Sequence, residues 1–225
     1  MTIELADAVG QLIRGRRATR AFLSDSVPEG TIEAVFGLAG SAPSNANAQP
    51  WQVEVVSGAA RDELADALVS AHRAGRRTLD FPYDESIYSP VHRRRRAAFG
   101  AAVYSALGIG RGDEDLRTDY DLKSLSFYGA PHVALLYAPE SGNPRLTADV
   151  GMYAQTLLLA MAAHGVASCP QAVLSFYSGT IRETLGITGG KLLLGVSFGY
   201  ADPDAPINAV EVGREPMPET TRFHR

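Results

Sequence analysis

The chain has 225 residues, of which 45% are hydrophobic and 20% are charged, and its formal net charge is −4. This composition excludes a disordered segment or a fibre and is too mixed for a membrane protein, and the acidic balance argues against a nucleic-acid partner. The single cysteine, Cys169, excludes an intrachain disulfide framework. With an N-terminus that lacks the apolar run of a secretory signal, we expect a cytoplasmic protein with no membrane partner.

The first 75 residues combine helical periodicity with one alternating segment. Pro28 suits a first helical position, and the polar stretch after Ala39 carries turn chemistry. Apolar spacing therefore predicts, in chain order, a helix over 3–14, a helix over 28–39, a loop over 41–50, a strand over 51–58 and a helix over 60–75.

The remaining residues contain a helix that is apolar on all sides. No charged residue follows Asp149 in the stretch 147–164, which predicts a helix central to a core or an interface. A membrane span is the alternative, but the stretch is shorter than about 20 residues and contains Gln155 and His164. The other predicted elements are helices over 91–107, 111–123 and 178–186, strands over 131–138, 166–170 and 191–201, and an extended tail. One α+β domain over residues 1–225 fits this order.

Two polar segments of the sequence could bind a ligand. Arg14, Arg16, Arg17 and Arg20 repel one another unless they fan into solvent or hold an anion such as a phosphate dianion. Spacing alone leaves both interpretations open. The segment 43–51 is rich in amides and hydroxyls, so it is either an ordinary helix-to-strand loop or the lining of a polar planar ligand.

Other sequence patterns limit the possible chemistry. No metal-ligand spacing of His or Cys occurs, and no Gly-x-Ser-x-Gly nucleophile motif is present. The glycines at 108–112 follow a helix rather than a strand, so the dinucleotide-binding fingerprint fails. For Cys169 we favour a small buried side chain over a nucleophile. We therefore predict no metal and no catalytic side chain, a pattern typical of enzymes whose cofactor carries the reaction.

A second run of arginines, Arg93–Arg96, falls near the start of a predicted helix. Positive charge is unfavourable at that end of the helix dipole, so we expect a compensating acid or anion. A solvated helix face is one interpretation. Recognition of an anionic ligand is the other.

Several motifs in fixed order carry a family resemblance over nearly the whole chain. They are residues 16–22 (RRATRAF), the loop 43–51, 129–131 (GAP), 151–155 (GMYAQ), 169–171 (CPQ) and 199–208 (GYADPDAPIN), followed by 214–216 (REP) and 222–224 (RFH). Together they resemble the nitroreductase family of FMN-dependent NAD(P)H oxidoreductases, and in particular its nitrobenzoate-reductase-like branch.

The resemblance implies an α+β nitroreductase-like fold, with a small mixed central β-sheet wrapped by long helices, in an intertwined homodimer with FMN at the interface. It further implies that Arg16 and Arg214 hold the FMN phosphate and that Arg20 lies by flavin N1 and the C2 carbonyl. The remaining implied cofactor contacts are the backbone of Arg17 and Ala18, the corner Pro170, Gln171 and Ala172 facing the central ring, and Pro43, Ser44, Asn45 and Asn47 from the partner subunit.

Two positions depart from the family pattern. Ala18 stands where many relatives have Ser, which removes a hydroxyl contact and keeps the backbone. Relatives of this branch usually have an Asn a few residues before the Gly-Ala-Pro motif, and here Lys123 or Ser124 would replace it.

The implied activity is reduction of nitroaromatics, and possibly of quinones, by ping-pong transfer from NADPH or NADH through flavin N5. With that activity, the anion recognised by Arg93–Arg96 would be the 2′-phosphate of NADPH or an anionic substrate such as a nitrobenzoate. The alternatives are a reductase of another electrophile, such as an enone, a halogenated aromatic or a flavin, and a flavin-binding protein without turnover.

Overall fold

The computed structural model describes residues 2–225, in which seven α-helices surround a four-stranded sheet. In chain order the elements are α1 (Thr2–Gly15), α2 (Glu29–Ala39), β1 (Gln52–Ser57), α3 (Gly58–Arg73), α4 (Pro90–Ala106), α5 (Glu114–Leu125), β2 (His132–Ala138), α6 (Pro144–Ala163), β3 (Ala167–Gln171), α7 (Ser178–Leu185) and β4 (Lys191–Gly199). Short 3₁₀ turns lie between them and in the C-terminal tail. Every helix and strand predicted from the sequence is present, so the α+β class is confirmed.

Two helices begin at an N-cap residue followed by proline. The Ser89 hydroxyl accepts a hydrogen bond from the His92 N–H before α4, and the Asn143 side chain accepts one from the Arg145 N–H before α6. Each cap satisfies a backbone N–H that has no partner within its helix. The cap at Asn143 explains why α6 begins three residues earlier than the apolar pattern alone indicated.

The sheet has the strand order β1-β2-β4-β3, and every neighbouring pair is antiparallel. The expectation of a mixed sheet was therefore wrong for these four strands. Parallel pairing occurs as isolated bridges, one of them between Ala18 and Ser168 at the β3 edge. The direction of each strand could not be predicted from the sequence. Helices separate the strands, and the same helical pattern can return the chain in either direction.

Helices pack on both faces of the sheet. On one face α2 and α6 bury Val35, Leu157 and Met161 against β2 and β4, and on the other α3 and α7 bury Leu64 and Ile181. Within residues 2–225, α6 is the one helix long and apolar enough to cross a membrane. Its packing against α2 and the sheet accounts for that composition, which confirms the prediction of a central core helix.

A buried histidine ties the segment before α2 to the sheet. His132 Nε2 accepts a hydrogen bond from the Val27 N–H at 3.0 Å, and its Nδ1 lies 2.6 Å from the Ser57 hydroxyl. The ring stacks on Phe198, and burial lowers its pKa from the ordinary histidine value. Because Nε2 accepts, the neutral ring carries its proton on Nδ1 and donates it to Ser57.

Candidate active site

The two ends of the chain meet at the exposed edge of β3. Ala18 forms the parallel bridge to Ser168, and this places residues 16–20, the arginine segment, beside the strand. On the other side of that segment, the Arg20 N–H donates to Asn208 Oδ1 at 2.8 Å, and Asn208 Nδ2 donates to the Ala21 carbonyl at 2.8 Å. The segment is thus held between β3 and the C-terminal tail.

An ion pair continues this contact along the tail. Arg17 Nη2 lies 2.6 Å from Glu211 Oε1, and both side chains are largely exposed. Arg214 follows three residues later, and its Nη1 donates to the carbonyls of Val212 and Gly213. The tail that carries Arg214 therefore runs close to the arginine segment, and Glu211 already neutralises Arg17.

Arg16 and Arg20 differ from Arg17 because no carboxylate lies within 4 Å of either in the described part of the chain. Both are half-buried, and Arg20 donates to the Ala18 carbonyl while its guanidinium lies over the Phe99 ring at 5.0 Å. Burial raises the pKa of the Cys169 thiol to about 11, against an opposing effect of the Arg20 and Arg16 charges. Two uncompensated cations therefore lie beside β3, a donor set that suits an anion.

The last residue of β3 is Gln171, and two hydrogen bonds hold its side chain. Gln171 Nε2 donates to the Ser124 carbonyl at 2.6 Å, and the buried Ser197 hydroxyl donates to Gln171 Oε1. The Ser124 hydroxyl donates to the Asp121 carbonyl, so it is engaged within its own helix. Lys123 is exposed and lines a cavity of about 590 Å³ beside α5. Of the two candidates for the missing Asn, the structure places Ser124 at Gln171.

The candidate residues thus fall into two groups. The first group comes from elements that meet along the β3 edge and comprises Arg16, Arg17, Ala18, Arg20, Ser124, Pro170, Gln171 and Ala172. Arg214 lies on the tail, three residues beyond the Glu211 that pairs with Arg17. Pro170 and Ala172 are exposed on either side of the buried Gln171 side chain. The backbone of this corner is therefore open to a ligand. Lys123 precedes Ser124 in α5, and its side chain lines the cavity.

The second group lies on a loop that is held elsewhere. The loop of residues 43–49 contains Pro43, Ser44, Asn45 and Asn47, and the Asn45 N–H donates to Asp149 Oδ2 on α6 at 3.1 Å. In residues 2–225 no hydrogen bond or ion pair joins this loop to the arginine segment. One chain therefore does not bring the two groups into direct contact.

An arginine that sequence reasoning missed shapes the segment before β2. Arg61 Nε donates to the Ala130 carbonyl at 2.9 Å and its Nη2 to the Ser126 carbonyl at 2.8 Å, while the guanidinium lies over the Phe127 ring. Phe127 and Tyr128 both have positive φ, of 60° and 56°. Such backbone is costly for bulky residues and persists only when its surroundings hold it. No motif in the sequence signals Arg61, which is one charge on an amphipathic helix.

The arginine run 93–96 of α4 has the acids that its position predicted. Arg95 Nε lies 2.8 Å from Glu215 Oε1, and Arg96 Nη1 lies 2.6 Å from Glu85 Oε2. In the described residues the first two arginines of the run have no such ion pair, and both are exposed. Half of the run is therefore compensated by the protein itself.

Comparison with known proteins decides the family. The protein-family model described as "Nitroreductase family" matches residues 13–200 of the chain. The chain belongs to the nitroreductase family. This membership confirms the resemblance drawn from the ordered motifs and accounts for the fold.

Individual nitroreductases match the chain over almost its full length. It is 59% identical over 224 residues to "Nitroreductase NfnB" of Mycolicibacterium smegmatis, covering 100% of this chain and 96% of that protein. It is 34% identical over 230 residues to a "4-nitrobenzoate reductase" of Nocardioides sp., covering 99% and 92%. The crystal structure of the FMN-dependent nitroreductase NfnB from Mycobacterium smegmatis in complex with NADPH superimposes with a TM-score of 0.96, covering 98% of this chain and 100% of that one.

Proposed function

We propose that this nitroreductase is an FMN-dependent oxidoreductase that takes electrons from NADPH or NADH and reduces nitroaromatic compounds. The observation that carries the proposal is the agreement over the full chain with NfnB, an FMN-dependent nitroreductase crystallised with NADPH. That relative favours NADPH as the donor. The nitrobenzoate reductase similarity favours small aromatic acceptors, with quinones as a further class.

The chemistry of the β3 edge fits FMN. The phosphate needs cations that the protein does not neutralise, and Arg16 meets that requirement; Arg214 would join it from the tail, three residues beyond the Glu211 that pairs with Arg17. Arg20 would lie by flavin N1 and the C2 carbonyl, where a positive charge favours the electron-rich reduced flavin. Arg17 and Ala18 would contribute backbone contacts, since the guanidinium of Arg17 is already paired.

The planar ring system would lie along the corner after β3. Pro170 and Ala172 are exposed there, and the Gln171 side chain is held by Ser124 and Ser197. A corner fixed in this way presents its backbone N–H groups in one orientation towards the flavin. Ser124 would line the same edge through its backbone, and Lys123 would approach the cofactor from the cavity beside α5 that its side chain lines.

A second copy of the chain would complete each site. Pro43, Ser44, Asn45 and Asn47 lie on a loop that, within residues 2–225, has no hydrogen bond to the arginine segment of its own chain, so they would approach the flavin from the partner. Apolar side chains exposed on α1 and α6, Ile3, Val9, Ile13 and Met152 among them, provide surface for an intertwined homodimer. We further propose that residues 1–225 act as one FMN-binding domain in the cytoplasm.

When bound, FMN supplies the redox chemistry, accepting electrons from the nicotinamide and passing them to the acceptor. The protein's residues bind the phosphate, orient the ring and exclude water from its face. A cleft that first holds the nicotinamide and then the acceptor gives ping-pong kinetics.

Purified protein tests the proposal through its colour. It should be yellow, and anaerobic NADPH should bleach it. Reoxidation by nitrobenzoate that is faster than by an enone panel supports a nitroreductase, and the reverse order supports a reductase of other electrophiles. A yellow protein that no nicotinamide reduces would indicate flavin binding without turnover, and a protein that cannot be loaded with FMN would contradict the proposal.

A further inference from the structure

Asp149 is a buried acid to which no role has yet been given. It lies in the first half of α6 and is 3% exposed within a single chain. Its neighbours Val150 and Tyr153 are buried and apolar. Placing a carboxylate in such surroundings costs free energy unless it accepts hydrogen bonds. Its Oδ2 accepts one from the backbone N–H of Asn45, in the loop 43–49.

That loop has a backbone that needs support. Ala46, Asn47 and Gln49 have positive φ values of 50°, 58° and 47°, a conformation that non-glycine residues rarely adopt. The Ser44 hydroxyl accepts from the Gln49 N–H at 2.9 Å and closes the loop on itself. This internal bond sets the shape of the loop and leaves its position on the protein undetermined.

The bond from Asn45 to Asp149 contributes to that position because it joins the loop to the central helix, and the stacking of Trp51 on Tyr153 holds the chain just beyond the loop. The outer surface of the loop remains exposed in one chain. Strained backbone that is firmly anchored and yet exposed is characteristic of segments that present groups to a ligand.

We propose that Asp149 is a positioning residue for the flavin site of the partner subunit, because it fixes the loop 43–49 on α6 at the height where its backbone reaches the partner's FMN. This inference rests on the proposed function and adds a residue that does not itself contact the cofactor. It requires that a lesion at Asp149 weaken FMN binding in the site completed by the other chain.

Three variants separate positioning from general stability. Asp149→Ala removes the acceptor, and we expect about tenfold weaker FMN binding, equivalent to about 1.4 kcal/mol. Asp149→Asn keeps an acceptor oxygen and should restore most of the affinity. Asp80→Asn is the stability control, because Asp80 accepts from Arg182 and the Leu192 N–H on a different part of the fold. It should lower the melting temperature and leave FMN affinity unchanged.

A mixed dimer tests the action across subunits. One chain carries Asp149→Ala, and the other carries both Arg16→Ala and Arg214→Ala. Each chain has a different affinity tag, so that the heterodimer can be purified. If Asp149 acts on the partner's site, both lesions fall in one site and the other site is intact. We expect one FMN per dimer bound with the affinity of the unaltered protein.

Two results would overturn the inference. One is a mixed dimer in which both sites are weakened, and the other is full FMN affinity in Asp149→Ala. Failure of the proposed function would look different, because the unaltered protein would then bind no FMN or would not be reduced by NADPH.

Discussion

The arginine segment offers a matched comparison, because Arg16 and Arg17 are adjacent and only Arg17 has a carboxylate partner within the described residues. Replacing Arg16 or Arg214 with alanine should remove charged hydrogen bonds to the FMN phosphate, each worth about 1.5–3 kcal/mol. FMN binding should therefore weaken by about 10- to 150-fold. Arg17→Ala loses an exposed ion pair, worth at most about 1 kcal/mol, so FMN affinity should fall by less than about fivefold.

Titration of apoprotein with FMN, followed by flavin fluorescence at one fixed ionic strength, measures all three variants. The salt concentration has to be constant because it screens exposed charges. If Arg16→Ala and Arg214→Ala lose no more affinity than Arg17→Ala, the guanidinium groups of Arg16 and Arg214 do not hold the phosphate. A variant that carries both Arg16→Ala and Arg214→Ala adds a check. If both residues bind one phosphate, its loss of FMN affinity should differ from the sum of the two single losses in free energy.

Three further predictions concern other parts of the chain. Burial lowers the pKa of His132, so the unfolded state binds a proton more readily than the folded state. The free energy of unfolding should therefore fall as pH drops below about 6.5, by up to about 1.4 kcal/mol per pH unit. His132→Gln should show a shallower fall in denaturation experiments, and an unchanged pH dependence would exclude His132 as the cause. The double variant Arg93→Ala with Arg94→Ala should reduce the preference for NADPH over NADH in kcat/KM more than Arg96→Ala does, because Arg96 is already paired with an acid; equal ratios would mean that the run does not read the 2′-phosphate. Arg61→Ala should lower the free energy of unfolding by about 2–4 kcal/mol, since two main-chain carbonyls lose a charged donor. A loss under about 1 kcal/mol in urea denaturation would show that the turn keeps its conformation without Arg61.

Local patterns in the sequence were sufficient for much of the fold. Helical periodicity identified α2, α3 and α4, and the absence of charge after Asp149 identified α6 as the central helix. Helix-dipole reasoning also predicted the acids opposite the second arginine run, which are Glu85 and Glu215. These features depend on residues close in the chain, where spacing determines which face is buried.

Features that depend on distant contacts could not be read in this way. The direction of β4 relative to β2 depends on how the chain returns after α6 and α7, so the mixed sheet was wrongly expected. The positive φ of Tyr128 and of Ala46 leaves no trace in sequence, because neither residue is glycine or asparagine. Their supports, Arg61 and Asp149, are single charges distant in the chain from the segments they hold.

Native mass spectrometry of the purified holoprotein tests most directly whether two chains share each FMN. We expect a dimer that carries two FMN molecules, and gentle dissociation should give chains that have lost the cofactor. A folded monomer that retains one FMN would contradict a site built from both subunits.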